Sequence, residues 1–150
     1  MPTQIPFTYR LFFTYLDPLI CLWGAYLDFF HPSLILNTHI PSPTADIGHT
    51  MILRQRGGNM LNFGLISAVL LRYTTDIHIW NIVQCADLFV DITYLWAVWG
   101  VLDAQNRLAI GTWRVEDWVS VAITGTAAVL RFSFLLGVGL RRGNKTQKKI

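Results

Sequence analysis

Charge is what this sequence has least of. Of its 150 residues, 14% are Asp, Glu, Lys or Arg, against about 25% in an ordinary soluble domain. Cysteine is scarce too. Two residues, Cys21 and Cys85, cannot build a disulfide scaffold. Neither has a histidine at ligand spacing, and His31, His39 and His49 share a loop without such spacing, so no metal site is expected. There is no phosphate-cradling glycine loop and no Ser-His-Asp or Cys-His arrangement, and no cofactor is implied. No basic stretch precedes the first apolar run and no small-residue cleavage site follows it. That run therefore reads as a retained span rather than a cleaved signal. Disorder, collagen and coiled coil each need a polar or repetitive composition that is missing here.

What is present is apolar. Hydrophobic residues make up 53% of the chain, and the mean hydropathy is +0.41. A soluble domain of this size could not bury so much apolar surface, because small folds leave much of their surface exposed. The expectation is one integral membrane domain over residues 1–150, all-α, with a basic cytosolic tail at 141–150. A membrane core about 30 Å thick needs roughly 20 apolar residues in a helix. Four runs meet that length. They extend from Tyr9 to Phe30, from about Gly58 to Tyr73 with Met51–Gly57 as lead-in, from His78 to Trp99 with a stop at Gly100, and from Asp117 to Leu140. The runs do not alternate, so barrel strands are rejected.

The net charge of +3 comes mostly from the tail, which includes Arg141, Arg142, Lys145, Lys148 and Lys149. Such a tail beside a span is a topology signal and a binder of anionic lipid. Nucleic acid is not an expected partner, since no basic face with interleaved aromatics occurs elsewhere. Basic residues are more numerous on the side holding Arg10, Arg72 and the tail than on the side holding Arg54, Arg56, Arg107 and Arg114. Both termini are therefore expected in the cytosol. The sequon Asn144-Lys145-Thr146 would then stay unmodified. Trp99, Trp113 and Trp118 are expected at one interface, and Gly137-x-Gly139 is read as a packing feature of the last span.

Each span carries one polar stripe at helical spacing. Arg10, Thr14, Asp17, Cys21, Gly24 and Asp28 follow a 4-3-4-3-4 pattern, and Gln84, Asp87, Asp91 and Tyr94 follow 3-4-3. Asp117, Ser120, Thr124 and Arg131 share a face, as do Gln55, Asn59 and Asn62. Four stripes turned inward make a four-helix transmembrane bundle with a polar, carboxylate-containing interior. Asp17, Asp87, Asp91 and Arg131 fall near mid-membrane. There, each would cost about 2.5–3.5 kcal/mol if it faced lipid, roughly 10–14 kcal/mol together. They must pair, face inward or line a wet cavity. A buried salt bridge fixing helix register is the simpler reading. Three acids against one arginine leave a surplus, however, and the surplus is protonated or in water. Crowded carboxyls can then divide into an acid and a base. Tyr15, Trp23, Trp80, Tyr94 and Trp96 could line an apolar pocket for a polyene or terpenoid, although lipid-belt and packing roles suit aromatics equally.

Several segments resemble a known family. Ile5-Pro6-Phe7-Thr8-Tyr9-Arg10-Leu11-Phe12-Phe13, Asp17-Pro18 and Gly24-Ala25-Tyr26 are similar to the opening of a fungal family of small four-span membrane proteins. Gly58-Asn59, Asp87 and the ending Arg131-Phe132-Ser133-Phe134-Leu135-Leu136-Gly137-Val138-Gly139-Leu140 fit it as well. Members lie in biosynthetic clusters, and some resemble membrane-bound epoxide hydrolases or cyclases of polyketide pathways. Family members often carry Glu at the position of Asp17 and a His just after the acid of the third span, where this chain has Val90 and Asp91.

The resemblance implies an enzyme that opens an epoxide on a lipophilic small molecule, giving a diol or a cyclic ether. The expected catalytic set is Asp87, Asp91, Asp17 and Arg131. Asn59, Asn62, Tyr94, Trp23, Gln84 and Tyr15 would hold substrate or water. The limonene-epoxide type of soluble hydrolase joins two Asp through an Arg, with Tyr and Asn on the water, and the same parts occur here. The alternatives are a proton-initiated cyclase or isomerase, a non-catalytic lipid-binding scaffold and a proton-coupled carrier. The expected location is the endoplasmic reticulum membrane. Membrane lipids are expected partners, and a homo-oligomer is left open.

Overall fold

A computed structural model describes residues 5–44 and 46–140. The expected basic tail, the sequon and Lys148–Ile150 lie outside the described residues. Those described are helical, with no strand among them. We number the helices α1 (Phe7–Phe30), α2 (Pro32–His39), α3 (47–73), α4 (Ile77–Ala104) and α5 (Val115–Leu135). A short 3-10 turn, Ile110–Thr112, precedes α5. Two helices, α4 and α5, are long and apolar enough to cross a membrane, and α1 with α2 makes a third if that bent pair is one span.

Each boundary has a local cause. Helix α1 ends where the His31 N–H bonds Leu27 O. Pro32 then opens α2 in the first turn, where its missing N–H would have had no partner within the helix, and the chain bends by 110°. Helix α2 was not foreseen, because eight mixed residues inside a loop give no periodic signal. Helix α3 begins at Ile47, earlier than the apolar run at Gly58, because Asp46 caps it through the His49 N–H at 2.7 Å. Helix α4 does not stop at Gly100. It continues to Ala104 and ends in a left-handed cap at Asn106 (φ 53°), with Arg107 N bonded to Leu102 O and Asn106 N to Asp103 O. Its 28 residues span about 42 Å, so a glycine beyond the apolar core costs little. Helix α5 ends at Leu135 rather than Leu140. Gly137, at φ 77°, forms the same cap, with Val138 N on Ser133 O and Gly137 N on Phe134 O. The Gly137-x-Gly139 pair is thus a helix stop, not a packing stripe.

The helices pack as two pairs, α1 with α3 and α4 with α5, while α2 lies against α3 and α5. Glycine sets the first pair. A Cβ at Gly57 would come within 3.0 Å of Asp28 Cβ, and one at Gly64 within 3.0 Å of Cys21 Cβ. At one end of the molecule all four long helices meet in a core of Tyr9, Phe13, Leu71, Trp80, Val83 and Phe134. Phe134 stands edge-on to Tyr9 and Phe13, with ring centroids 5.2 and 5.8 Å away. At the other end a smaller core holds Ile35, Leu36 and Leu53, with Leu27 against it.

Proline shapes α1 where it matters for the site. Pro18 has no N–H to give the carbonyl of Thr14, four residues earlier. The preceding turn, Phe12–Leu16, widens into a π-helix. The orphaned Thr14 O accepts from Arg72 Nη2 at 2.8 Å, and the same guanidinium lies 4.2 Å above the Tyr15 ring. A second π-helical turn, Ile66–Leu70 in α3, packs against the first.

Candidate functional site

Between the two helix pairs, Arg131 of α5 is 4% exposed. Its Nη2 donates to Asp17 Oδ2 of α1 at 2.7 Å, and its Nη1 donates to Asp91 Oδ2 of α4. Asp87 Oδ2, one turn earlier on α4, stands 3.9 Å from Nη2. All three carboxylates are buried. The Ser67 hydroxyl, from the π-helical turn of α3, lies beside Asp87. Every long helix therefore contributes one wall, and π-helical turns of this kind often mark functional positions.

The Arg131 partners are not equivalent. Asp17 and Asp91 share the guanidinium through one hydrogen bond each. Asp87 Oδ2 has no hydrogen-bond partner among the described residues, and neither has Arg131 Nε. Gln84, one turn before Asp87 on α4, is 0% exposed, and both ends of its amide are likewise unpartnered among the described residues. Three carboxyls facing one guanidinium can hold a proton on one oxygen and accept one on another. That is the equipment of general acid–base chemistry. Among the described residues, no group of His, Cys, Asp and Glu is arranged to hold a metal ion.

The structure brings Asp17, Asp87, Asp91, Arg131 and Gln84 together, and it separates the other expected residues from them. Asn59 and Asn62 are on the outer face of α3. The glycine side of that helix wins the contact with α1, because only there can the backbones approach closely. Tyr15 and Trp23 are also on the outside, 52% and 62% exposed. Tyr15 lies under Arg72, and Trp23 stacks on Tyr26 with centroids 5.5 Å apart. Tyr94 is half-buried on the far side of Asp91, its hydroxyl 3.5 Å from His39 Nε2. Trp96 is exposed, whereas Trp80 is buried and donates its Nε1 to Thr74 O at 2.9 Å. The expected aromatic pocket is therefore not assembled by these five side chains.

Ser67 was missed in the sequence. The spacing Gly57, Met60, Gly64 and Ser67 (3-4-3) marks the inward face of α3, but it competes with the amide stripe, and periodicity alone does not choose between them.

Simpler ion pairs occupy the opposite end. Arg56 clasps Asp28 through two bonds of 2.8 and 2.5 Å. Asp117 accepts from Arg107 and from the Arg114 N–H at 2.8 Å. Arg114 also reaches Asn37 O at 2.9 Å, and Gln105 reaches His39 O at 3.1 Å. These bonds close the C-terminal carbonyls of α2 and tie it to the loop before α5.

Neither a curated protein nor a solved structure matches the chain. One family profile does, over residues 2–141 of the 150. By that match the chain belongs to the family described as Domain of unknown function (DUF7704).

Proposed function

We propose that this protein is a membrane-embedded enzyme that opens an epoxide on a lipophilic polyketide or terpenoid by acid–base catalysis. The single observation behind the reading is the bridge Asp17–Arg131–Asp91 with Asp87 beside it, its Oδ2 unbonded among the described residues. It has the same parts, two Asp joined by an Arg, as the limonene-epoxide type of hydrolase. The analogy is one of chemistry and not of fold.

The step needs a proton on the leaving oxygen and a base on the nucleophile. Asp87 gives its proton to the epoxide oxygen as the C–O bond breaks. Asp91, held ionised by Arg131, takes a proton from the attacking water or internal hydroxyl as the new C–O bond forms. One carboxyl has then lost a proton and the other gained one, and passing it back through the cluster restores the site. Asp17 positions Arg131. In this reading α3 crosses the membrane with the other three long helices. The domain lies in the endoplasmic reticulum membrane, and both termini face the cytosol.

The test is to delete the gene in its host and complement it with wild type, Asp87→Asn or Asp91→Asn. Metabolites are then profiled by mass spectrometry in ¹⁸O-water, with protein levels checked. An epoxide intermediate that builds up in the deletion and in both variants, with ¹⁸O in the wild-type product, is the expected result. Build-up without ¹⁸O assigns internal cyclisation or isomerisation instead. Full restoration by well-expressed variants of both residues would make the cluster structural, as in a lipid-binding scaffold.

A further inference from the structure

The unpartnered polar atoms of α4 form a line. Asn81 Oδ1, both ends of the Gln84 amide and Asp87 Oδ2 recur at every third residue, and each atom is buried without a hydrogen-bond partner among the described residues. Arg131 Nε, on the facing helix, shares that condition. Burying an amide with nothing to bond is among the costlier arrangements in a fold. Gln84 offers two donors and two lone pairs. A fully buried glutamine of this kind normally bonds to ordered water.

The line also has a direction. It starts one turn inside the N-terminal end of α4, the end that residues 74–76 lead into. It ends at the carboxylates, about 15 Å along the helix from Ile77. Trp80, 1% exposed and anchored to Thr74 O, belongs to the aromatic core at that end, so the line runs beside that core. The Ile82 and Phe89 side chains, off the line on the same helix, are exposed to the surroundings instead.

We infer that Asn81, Gln84 and Asp87 bind a file of ordered water molecules connecting the carboxylate cluster to the membrane face on which residues 74–76 lie. The file carries water and protons to the cluster from that side. This holds whether or not the carboxyls act on an epoxide, and its test reads water rather than turnover.

The full chain, in lipid nanodiscs and ¹⁵N-labelled at glutamine side chains, is examined by NMR. The Gln84 amide is assigned by its loss in Gln84→Met, which is nearly isosteric. Substituting the other glutamines with Glu assigns it by elimination should Gln84→Met not fold. The Gln84 amide is expected to show cross-peaks to water and to exchange with deuterium within minutes. Asn81→Leu is expected to slow that exchange at least tenfold, and Ile82→Leu to leave it unchanged. Absence of water cross-peaks with protection lasting days overturns the proposal. Exchange unaffected by Asn81→Leu overturns the direction of the file. Loss of turnover in Asp87→Asn with a hydrated Gln84, or the reverse, separates this inference from the enzymatic one.

Discussion

The molecule uses arginine in two ways. At the end holding α2, cations meet acids in balance or in excess. Arg56 serves Asp28 alone, and Arg107 and Arg114 together serve Asp117. In the middle, one arginine serves three acids. The pairs at the α2 end leave no carboxylate without a cation and staple helices; what lacks a partner there among the described residues is donors alone, Arg114 Nε and Trp113 Nε1. The central cluster also ties α1 and α4 to α5, yet among the described residues it leaves a carboxylate oxygen, a guanidinium N–H and an amide unbonded. The excess of carboxylate over cation is confined to the cluster, which is why the cluster, and not the pairs, is the candidate site.

The largest effect that could break this contrast is Arg131→Met. It removes the cation bonded to both Asp17 and Asp91 and should cost about 3–5 kcal/mol, as expected for stranding buried charge. The expected result is a protein that fails to accumulate or to survive detergent size-exclusion. Normal accumulation would mean that the cluster carries no stability. Next comes Arg56→Met, which leaves the fully buried Asp28 unpaired. Because Arg56 is itself partly exposed, the loss should be smaller, about 1–3 kcal/mol by thermal unfolding, and turnover of the folded fraction should not change.

Asp87→Asn sharpens the contrast from the other side. Asp87 makes no hydrogen bond to Arg131, so unfolding should move by less than about 1 kcal/mol, while turnover falls about 100-fold or more. A loss of stability as large as that of Asp17→Asn would make Asp87 an ordinary pair member. The smallest effect belongs to Asp46, which is fully exposed. The His49 N–H holds its carboxyl below the usual carboxylate range. A lowered value adds stability above the usual carboxylate range, and the gain fades as pH falls through the lowered value. Thermal midpoints measured across the acid range should therefore show a slightly shallower decline in Asp46→Asn than in wild type. Identical curves would remove the cap from the account.

Much of this was legible in the sequence, and the limits have physical reasons. Helices α4 and α5 announced themselves through length and hydropathy, because those properties belong to one segment at a time, whereas α3, with its polar first half, falls short of that criterion. Asp17, Asp87, Asp91 and Arg131 were legible because a charge deep in an apolar run has few places to go. Asn59 and Asn62 misled because α3 carries two stripes of equal period. Which one turns inward depends on where the α1 backbone comes close, and that is a property of two helices. Tyr15 and Trp23 misled because an aromatic ring is equally at home against lipid and in a pocket. Helix α2 escaped because it is held by Arg114 and Gln105, which come from far along the chain.

Asp17 and Arg131 are 114 positions apart, and this distance is also an interval of time. At about 5–20 residues per second, the carboxylate is incorporated roughly 6–23 seconds before its arginine exists. The first helix must wait with its acid unneutralised, and the last helix to emerge completes it. A chain cut short before α5 is left with three unclaimed acids. Such a product lacks the one residue that would have finished it.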